Sequence, residues 1–211
     1  GDAPDSYGTL ITSDGPCHVI STELRLGLLI DGEVDGQPTL MALGDDEDGF
    51  NDEDGVSDFP VVSGDYGQTF LNYEVGVSVF NNTGNNAYLY GWIDWNNDGT
   101  FSENERTWLA VPPAPTQQGV QLAWSDVALT GAVGITGTYA RFRIGYDVPE
   151  SKVGASAPKG SANIGEVEDY FVPFVHPLPV ALSRFEIYKN KSVVQLEWEL
   201  DNEKNNSGFK I

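Results

Sequence analysis

Residues 94–105 read Asp94-Trp95-Asn96-Asn97-Asp98-Gly99-Thr100-Phe101-Ser102-Glu103-Asn104-Glu105. Oxygen-bearing side chains stand at the first, third and fifth positions (Asp94, Asn96, Asp98), Gly99 at the sixth and Glu105 at the twelfth, which is the spacing of a calcium loop. The spacing has a physical reason. Side chains at 1, 3 and 5 converge when glycine at 6 permits a sharp turn, Thr100 at 7 offers its carbonyl, and a terminal Glu chelates with both oxygens, so a cation that takes six to eight oxygens can be surrounded. A second acidic run covers Asp45, Asp46, Glu47, Asp48, Asp52, Glu53 and Asp54, seven acids in eleven residues. Asp31, Glu33 and Asp35 precede it, and Asp2 and Asp5 lie near the start. No Lys or Arg occurs between Arg25 and Arg106. Carboxylates about 4 Å apart repel by roughly 1 kcal/mol in water and roughly 4 kcal/mol at an effective dielectric of 20, so an ordered chain there is expected to hold Ca2+. The plain alternatives are an Asp/Asn/Gly turn at 94–105 and solvated acidic loops elsewhere.

Catalytic patterns are missing. There is no His-Glu-x-x-His and no Gly-x-Ser-x-Gly, and two histidines are too few for most zinc sites. Paired carboxylates suit glycoside hydrolysis, but among 32 acidic residues a pair has no diagnostic value. We expect no intrinsic enzymatic activity. The formal charge of −21 repels nucleic acid and anionic membranes. No apolar run reaches the length of a membrane-crossing helix, so membrane insertion is not expected. With one cysteine, Cys17, no internal disulfide framework exists, and calcium is the natural substitute for such staples outside a cell. Cys17 is expected to be a small buried hydrophobe.

The elements that would position these groups are strands. Period-two alternation recurs: Tyr73, Val75, Val77 and Val79 against Glu74, Gly76 and Ser78, then Ala140, Phe142, Ile144 and Tyr146 against Tyr139, Arg141 and Arg143, each predicting a strand buried on one face. Tyr88 to Trp95 is apolar on both faces, as a central strand should be, and residues 120–129 and 167–175 add two more. Asn81-Asn82-Thr83-Gly84 reads as a hairpin turn. The expected fold is an all-β antiparallel sandwich, jelly-roll or Ig-like, carrying Asp-rich calcium loops. Prolines 177 and 179 mark a boundary, placing domains at 1–175 and 180–211 around a 176–179 linker. About three strands are expected after it, among them Val194, Leu196, Trp198 and Leu200 alternating with polar residues. That is too few to close a sandwich, so the chain is expected to continue beyond Ile211. Glu166, Glu168 and Asp169 are expected to form cross-strand ion pairs, with Arg141 or Arg143 pairing Glu166 or Glu168.

Four segments together resemble the GEVED domain of large secreted bacterial proteins: Gly1-Asp2-Ala3-Pro4-Asp5-Ser6-Tyr7-Gly8-Thr9, the Gly44-Asp45-Asp46 to Val56 run, Gly91-Trp92-Ile93-Asp94, and Gly165-Glu166-Val167-Glu168-Asp169-Tyr170. The resemblance covers residues 1–175 and implies a non-catalytic accessory module. His18 falls where relatives often carry a histidine, and we read it as packing or hydrogen bonding. The tail, from Pro177-Leu178-Pro179-Val180 through Trp198 to Phe209, is similar to the fibronectin-III-like segment of Bacteroidetes proteins exported by the type IX system, which implies a secreted or outer-surface location. The expected partners are other domains of the same polypeptide or surface proteins. A glycan is the other candidate, since Trp92, Trp95, Trp108 and Trp124 could serve a carbohydrate-binding module if they are not core.

Overall fold

The computed structural model describes residues 1–44, 52–63, 69–128, 136–175, 180–190 and 193–203. These fall into two units, 1–175 and 176–211. The acids Asp45, Asp46 and Asp48 and the 176–179 linker lie outside the described residues.

Twelve strands in chain order make up the described structure: β1 Cys17–Val19, β2 Leu24–Leu26, β3 Val62–Ser63, β4 Thr69–Asn81, β5 Ala87–Ile93, β6 Arg106–Val111, β7 Gln118–Ala128, β8 Gly137–Gly145, β9 Ser161–Ile164, β10 Glu166–Val175, β11 Val180–Asn190 and β12 Val193–Glu203. The described helical pieces are three-residue 3-10 turns, and no described helix is long and apolar enough to cross a membrane. The first unit contains a three-stranded sheet ordered β2-β4-β7 and a five-stranded sheet ordered β3-β10-β8-β5-β6. All pairings within them are antiparallel except the short β3–β10 contact, and β1 pairs with β9 in parallel.

Alternation decides which side chains meet. Tyr73, Val75 and Val77 of β4 stand opposite Trp124, Leu122 and Val120 of β7. Leu89 of β5 stands opposite Ile144 of β8 and Leu109 of β6. Both sets enter one core with Leu24, Leu26, Ala140, Phe142, Val172 and Phe174, so the inner faces of the two sheets share a single apolar layer, a sandwich-like arrangement. Trp124 sits at its centre, edge-on to Trp95 and Phe142, and its indole N–H donates to the Glu105 carbonyl at 2.7 Å, which satisfies its one polar atom.

Three sequence expectations are corrected. The Asn81–Gly84 turn is real, with Gly84 at φ +79, but β4 and β5 do not pair, so the turn carries the chain from one sheet to the other instead of closing a hairpin. Strand β8 is buried on both faces, because the N-terminal segment and the 147–164 region cover its outer side; Arg141 and Arg143 are both 0% exposed. Beneath this cover Ala3, Tyr7, Tyr90, Trp92, Phe101 and Ala155 form a second apolar cluster. Cys17 is exposed, and its thiol contacts the Ser161 hydroxyl at 3.1 Å.

In the second unit β11 and β12 form an antiparallel pair. Register puts Phe185 opposite Trp198 and Ile187 opposite Leu196 on one face, with Arg184 opposite Glu199 and Glu186 opposite Glu197 on the other.

Candidate metal centre

The 94–105 loop begins where β5 ends. Asn97 and Gly99 adopt left-handed backbone at φ +52 and +81, the second being the conformation for which glycine is suited. The turn draws the ligand-type oxygens inward: the Asp98 N–H lies 3.2 Å from Asp94 Oδ1 and 2.9 Å from Asn96 Oδ1, the Gly99 N–H donates to Asp94 Oδ2 at 2.9 Å, and Asp98 Oδ1 accepts from the Thr100 N–H and hydroxyl. Glu105 closes the loop from a 3-10 turn. Its Oε1 accepts from the Trp95 N–H (3.1 Å), and its Oε2 accepts from both the N–H and the hydroxyl of Ser102 in a capping box. Asp94 is 0% and Glu105 2% exposed. Burial, followed by the Asp94 charge, raises the Glu105 carboxyl above its ordinary value, against the hydrogen bonds from Ser102. Every donor is a hard oxygen, which fits calcium. Among the described residues, however, no three His, Cys, Asp or Glu side chains stand close enough to share an ion. The loop thus has the ligand chemistry and order, and its carboxylates are held by N–H and O–H donors of the chain itself.

The other sequence-predicted acids fall into two overlapping groups. Asp2, Asp5 and Asp35 each accept backbone N–H groups. Asp2 ties down Gln37 (3.2 Å) and Gly44 (2.7 Å), Asp5 ties down Thr9 and Leu10, and Asp35 takes the N–H of Ile11 (2.8 Å). The bond from Leu10, then that from the Ser13 hydroxyl, lowers the Asp5 carboxyl. Asp35 also lines one cleft of about 140 Å3, with Asp31, Glu33, Asp52, Glu166 and His18.

Glu166 and Glu168 were expected to meet arginine, and they do not. In β10 the register places Asp169 opposite Arg141 and Val167 opposite Arg143, while Glu166 and Glu168 stand opposite Ile144 and Phe142 on the other face. Arg141 therefore pairs with Asp169, bidentate at 2.7 Å for both bonds, with both side chains fully buried. Arg143 donates to His18 Nε2 (3.0 Å) and to the carbonyls of Ala157, Lys159 and Gly160. His18 is thus a hydrogen-bonding residue, and burial, then the Arg143 charge, holds its imidazole well below the ordinary value.

On the opposite face Glu166 accepts from the Leu26 N–H, and Glu168 accepts from the Gly55 N–H (3.1 Å) and the Tyr170 hydroxyl (2.8 Å). Asp54 takes the Leu28 N–H at 2.8 Å. Asp52 Oδ1 is buried with no hydrogen-bond partner. No ion pair reaches these four carboxylates among the described residues. Burial comes first, followed by the Glu168 charge, in pushing Glu166 up to about 10; burial, followed in the same direction by Asp54 and Asp52, pushes Glu168 up to about 8 despite its two hydrogen bonds. Burial and the Asp31 charge move Asp52 up to about 6. Asp52 Oδ1 is thus the orphaned acceptor of this group, whose carboxylates do not gather closely enough for three of them to share an ion.

Period-two spacing alone separates Glu166 and Glu168 from Asp169, since they fall on opposite faces. What was missed is which face meets the arginines, and no local signal fixes that. Gly165 opens the strand at φ +150, where a Cβ would lie 1.9 Å from the Ile144 carbonyl oxygen, so glycine is required immediately before this pair of glutamates.

A comparison with curated proteins gave no match. A family model does match: residues 88–173, running from β5 through the 94–105 loop and β8 to the Gly165–Tyr170 segment of β10, are similar to the GEVED domain.

Proposed function

We propose that residues 1–175 form a non-catalytic, calcium-stabilised accessory or adhesive module, a jelly-roll or Ig-like sandwich within a larger secreted or cell-surface protein. The observation that carries this reading is the buried Glu166–Glu168 pair near Asp52 and Asp54, with no ion pair to any of the four among the described residues. Charge of one sign in a low-dielectric site is neutralised by protons or by a cation, and millimolar calcium outside a cell supplies the second. The secreted setting rests on the resemblance of the tail to exported proteins, and the lack of catalysis on the missing sequence motifs. A site of roughly 10⁻⁵ to 10⁻⁴ M in about 1 mM Ca2+ contributes about 1.4 to 2.7 kcal/mol. Chelation is therefore expected to lower the melting temperature by several degrees, and Glu168→Gln is expected to remove much of that calcium response. A melting curve unchanged between EDTA and calcium, on protein shown by metal analysis to be calcium-free, would sink the reading.

A carbohydrate-binding module is the second reading, and one residue favours it. Trp92, Trp95 and Trp124 are core, at 1%, 6% and 4% exposed, whereas Trp108 on strand β6 is 45% exposed, with the Tyr88 ring edge-on at 6.1 Å. Exposed aromatic faces suit sugar C–H groups. The expected result is retention of the chain on an insoluble neutral polysaccharide that Trp108→Ala abolishes; retention indifferent to that substitution removes Trp108 from the argument.

A further inference from the structure

We infer that the cleft lined by residues from the 11–20 and 30–36 segments and by Asp52 is a docking surface for a separate protein, one that presents a segment of alternating basic and aliphatic side chains. The inference goes beyond the accessory-module reading and needs no calcium. Four aliphatic side chains, Ile11, Ile20, Ile30 and Val34, line the cleft beside the acids Asp31, Glu33, Asp35 and Asp52. The two kinds are interleaved along the chain at Ile30-Asp31-Gly32-Glu33-Val34-Asp35. Val34 is 95%, Ile11 60% and Ile20 48% exposed, so much of this apolar surface faces solvent. A single exposed aliphatic residue is ordinary, but several gathered at one concave site mark an interaction surface. The walls are held to one another. The Ile11 N–H donates to Asp35 Oδ1 (2.8 Å), the Asp31 N–H donates to Asp52 Oδ2 (3.4 Å), and Gly32 lies so close to Ile20 that a Cβ there would stand 3.0 Å from Ile20 Cδ1.

Charge selects the occupant. No lysine or arginine lines the cleft among the described residues, and no ion pair there reaches Asp31, Asp35 or Asp52, while Glu33 meets the Gly1 amino group at 3.2 Å. The wider field has the same sign, since no Lys or Arg occurs between Arg25 and Arg106 and the formal charge is −21, so a basic partner is steered in and an acidic one repelled. Lysine and arginine match both kinds of wall, because the aliphatic stem lies along apolar surface while the charged head stays at a wet rim beside carboxylates. An aliphatic neighbour in the partner then covers Val34. The volume of about 140 Å3 leaves room for one long side chain, a single water needing roughly 10–15 Å3 on the same measure. A sugar fits less well, since no Trp, Tyr or Phe lines the cleft among the described residues, and a metal ion fits less well because no three acids gather to share it. With 11 basic against 32 acidic residues this chain is a poor source of such a segment, so the segment is assigned to another protein.

The test is fluorescence anisotropy of a labelled peptide of alternating lysine and valine, titrated with the full chain in EDTA so that no divalent ion competes for the same acids. The expected result is saturable binding that salt weakens, with peptides of alternating lysine and serine or of alternating glutamate and valine binding at least tenfold more weakly. Val34→Ser and Asp31→Asn change exposed side chains, so the fold is kept, and each is expected to weaken the lysine–valine peptide at least tenfold. Glu74→Gln removes one charge from the exposed face of β4, outside the cleft, and should leave the affinity within about twofold. Equal binding of the lysine–serine peptide, or an equal loss in Glu74→Gln and Asp31→Asn, would reduce the attraction to net charge and overturn the inference. Absence of saturable binding would overturn it too, as would a dimer of the chain in sedimentation velocity that Val34→Ser dissolves, since the occupant would then be a second copy.

Discussion

Replacing Asp169 with alanine is expected to cost about 3–5 kcal/mol, because it leaves the Arg141 guanidinium buried without its counter-charge. Both partners are fully buried, so solvent screening does not soften the loss. Burial alone would raise the Asp169 carboxyl, yet the Arg141 charge and its hydrogen bonds, helped by the N-terminal ammonium and the Ala3 N–H, hold it below the ordinary value. The damage should spread, since Arg141 also satisfies the carbonyls of Tyr7, Gly8 and Pro158 and Asp169 holds the Ala3 N–H. Asp169→Asn, which keeps the shape and an acceptor, isolates the charge and is expected to lose less. The double change Arg141→Met with Asp169→Leu should not recover the parent stability as an apolar replacement often does, because several carbonyls would then be orphaned. Urea unfolding monitored by tryptophan fluorescence reads all of these; a loss below about 1 kcal/mol in Asp169→Ala would show that the pair is dispensable.

The second large effect is on pH. Glu166 and Glu168 in the metal-free fold have carboxyls raised to about 10 and about 8, above their unfolded value of 4.5. A raised folded value means that the fold holds protons the unfolded chain has released, so the contribution is full below about 4.5 and is lost as pH rises towards 8–10, by up to about 1.4 kcal/mol per pH unit for each proton retained. His18 acts in the opposite sense at lower pH. Its folded value lies below 6.5, so its contribution is present above 6.5 and lost as pH falls below it. The window for the glutamates is therefore pH 7 to 9, where the Gly1 amino group, raised from its ordinary value of 8.0, acts in the same sense, so that Glu168→Gln is the control that separates the two. In EDTA the melting temperature is expected to fall across that window, and Glu168→Gln should flatten the fall. Calcium should flatten it too, since a cation replaces the protons. A melting temperature that rises with pH in EDTA would show that the pair is solvated and ordinary.

Several elements were legible because they depend on local pattern. The Tyr73–Val79 alternation fixes the inner face of β4, and the doubly apolar Tyr88–Ile93 run is a strand paired on both sides. Gly99 takes the left-handed turn that the loop spacing demands. Local pattern failed at β8, where Arg141 and Arg143 read as a polar outer face. Their burial comes from residues 1–20 and 147–164 folding over them, and charge alone does not announce that carbonyls and Asp169 will supply the partners. The hairpin expected at Asn81–Gly84 failed for a related reason, because turn chemistry sets a reversal but not which strand receives the chain.

The sequence by itself determined the strand content, the acidic excess, the glycine at the turn of the 94–105 loop and the separation of Glu166 and Glu168 from Asp169 by strand parity. Only the tertiary structure decided that Asp169 takes Arg141, that Glu166 and Glu168 lie near Asp52 and Asp54, and that Tyr7 reaches Asp94. The physical reason is register. Alternation divides side chains between two faces with a period of two, but which residue stands opposite which is set by long-range pairing, and a slip of one position would have given the arginines to the glutamates.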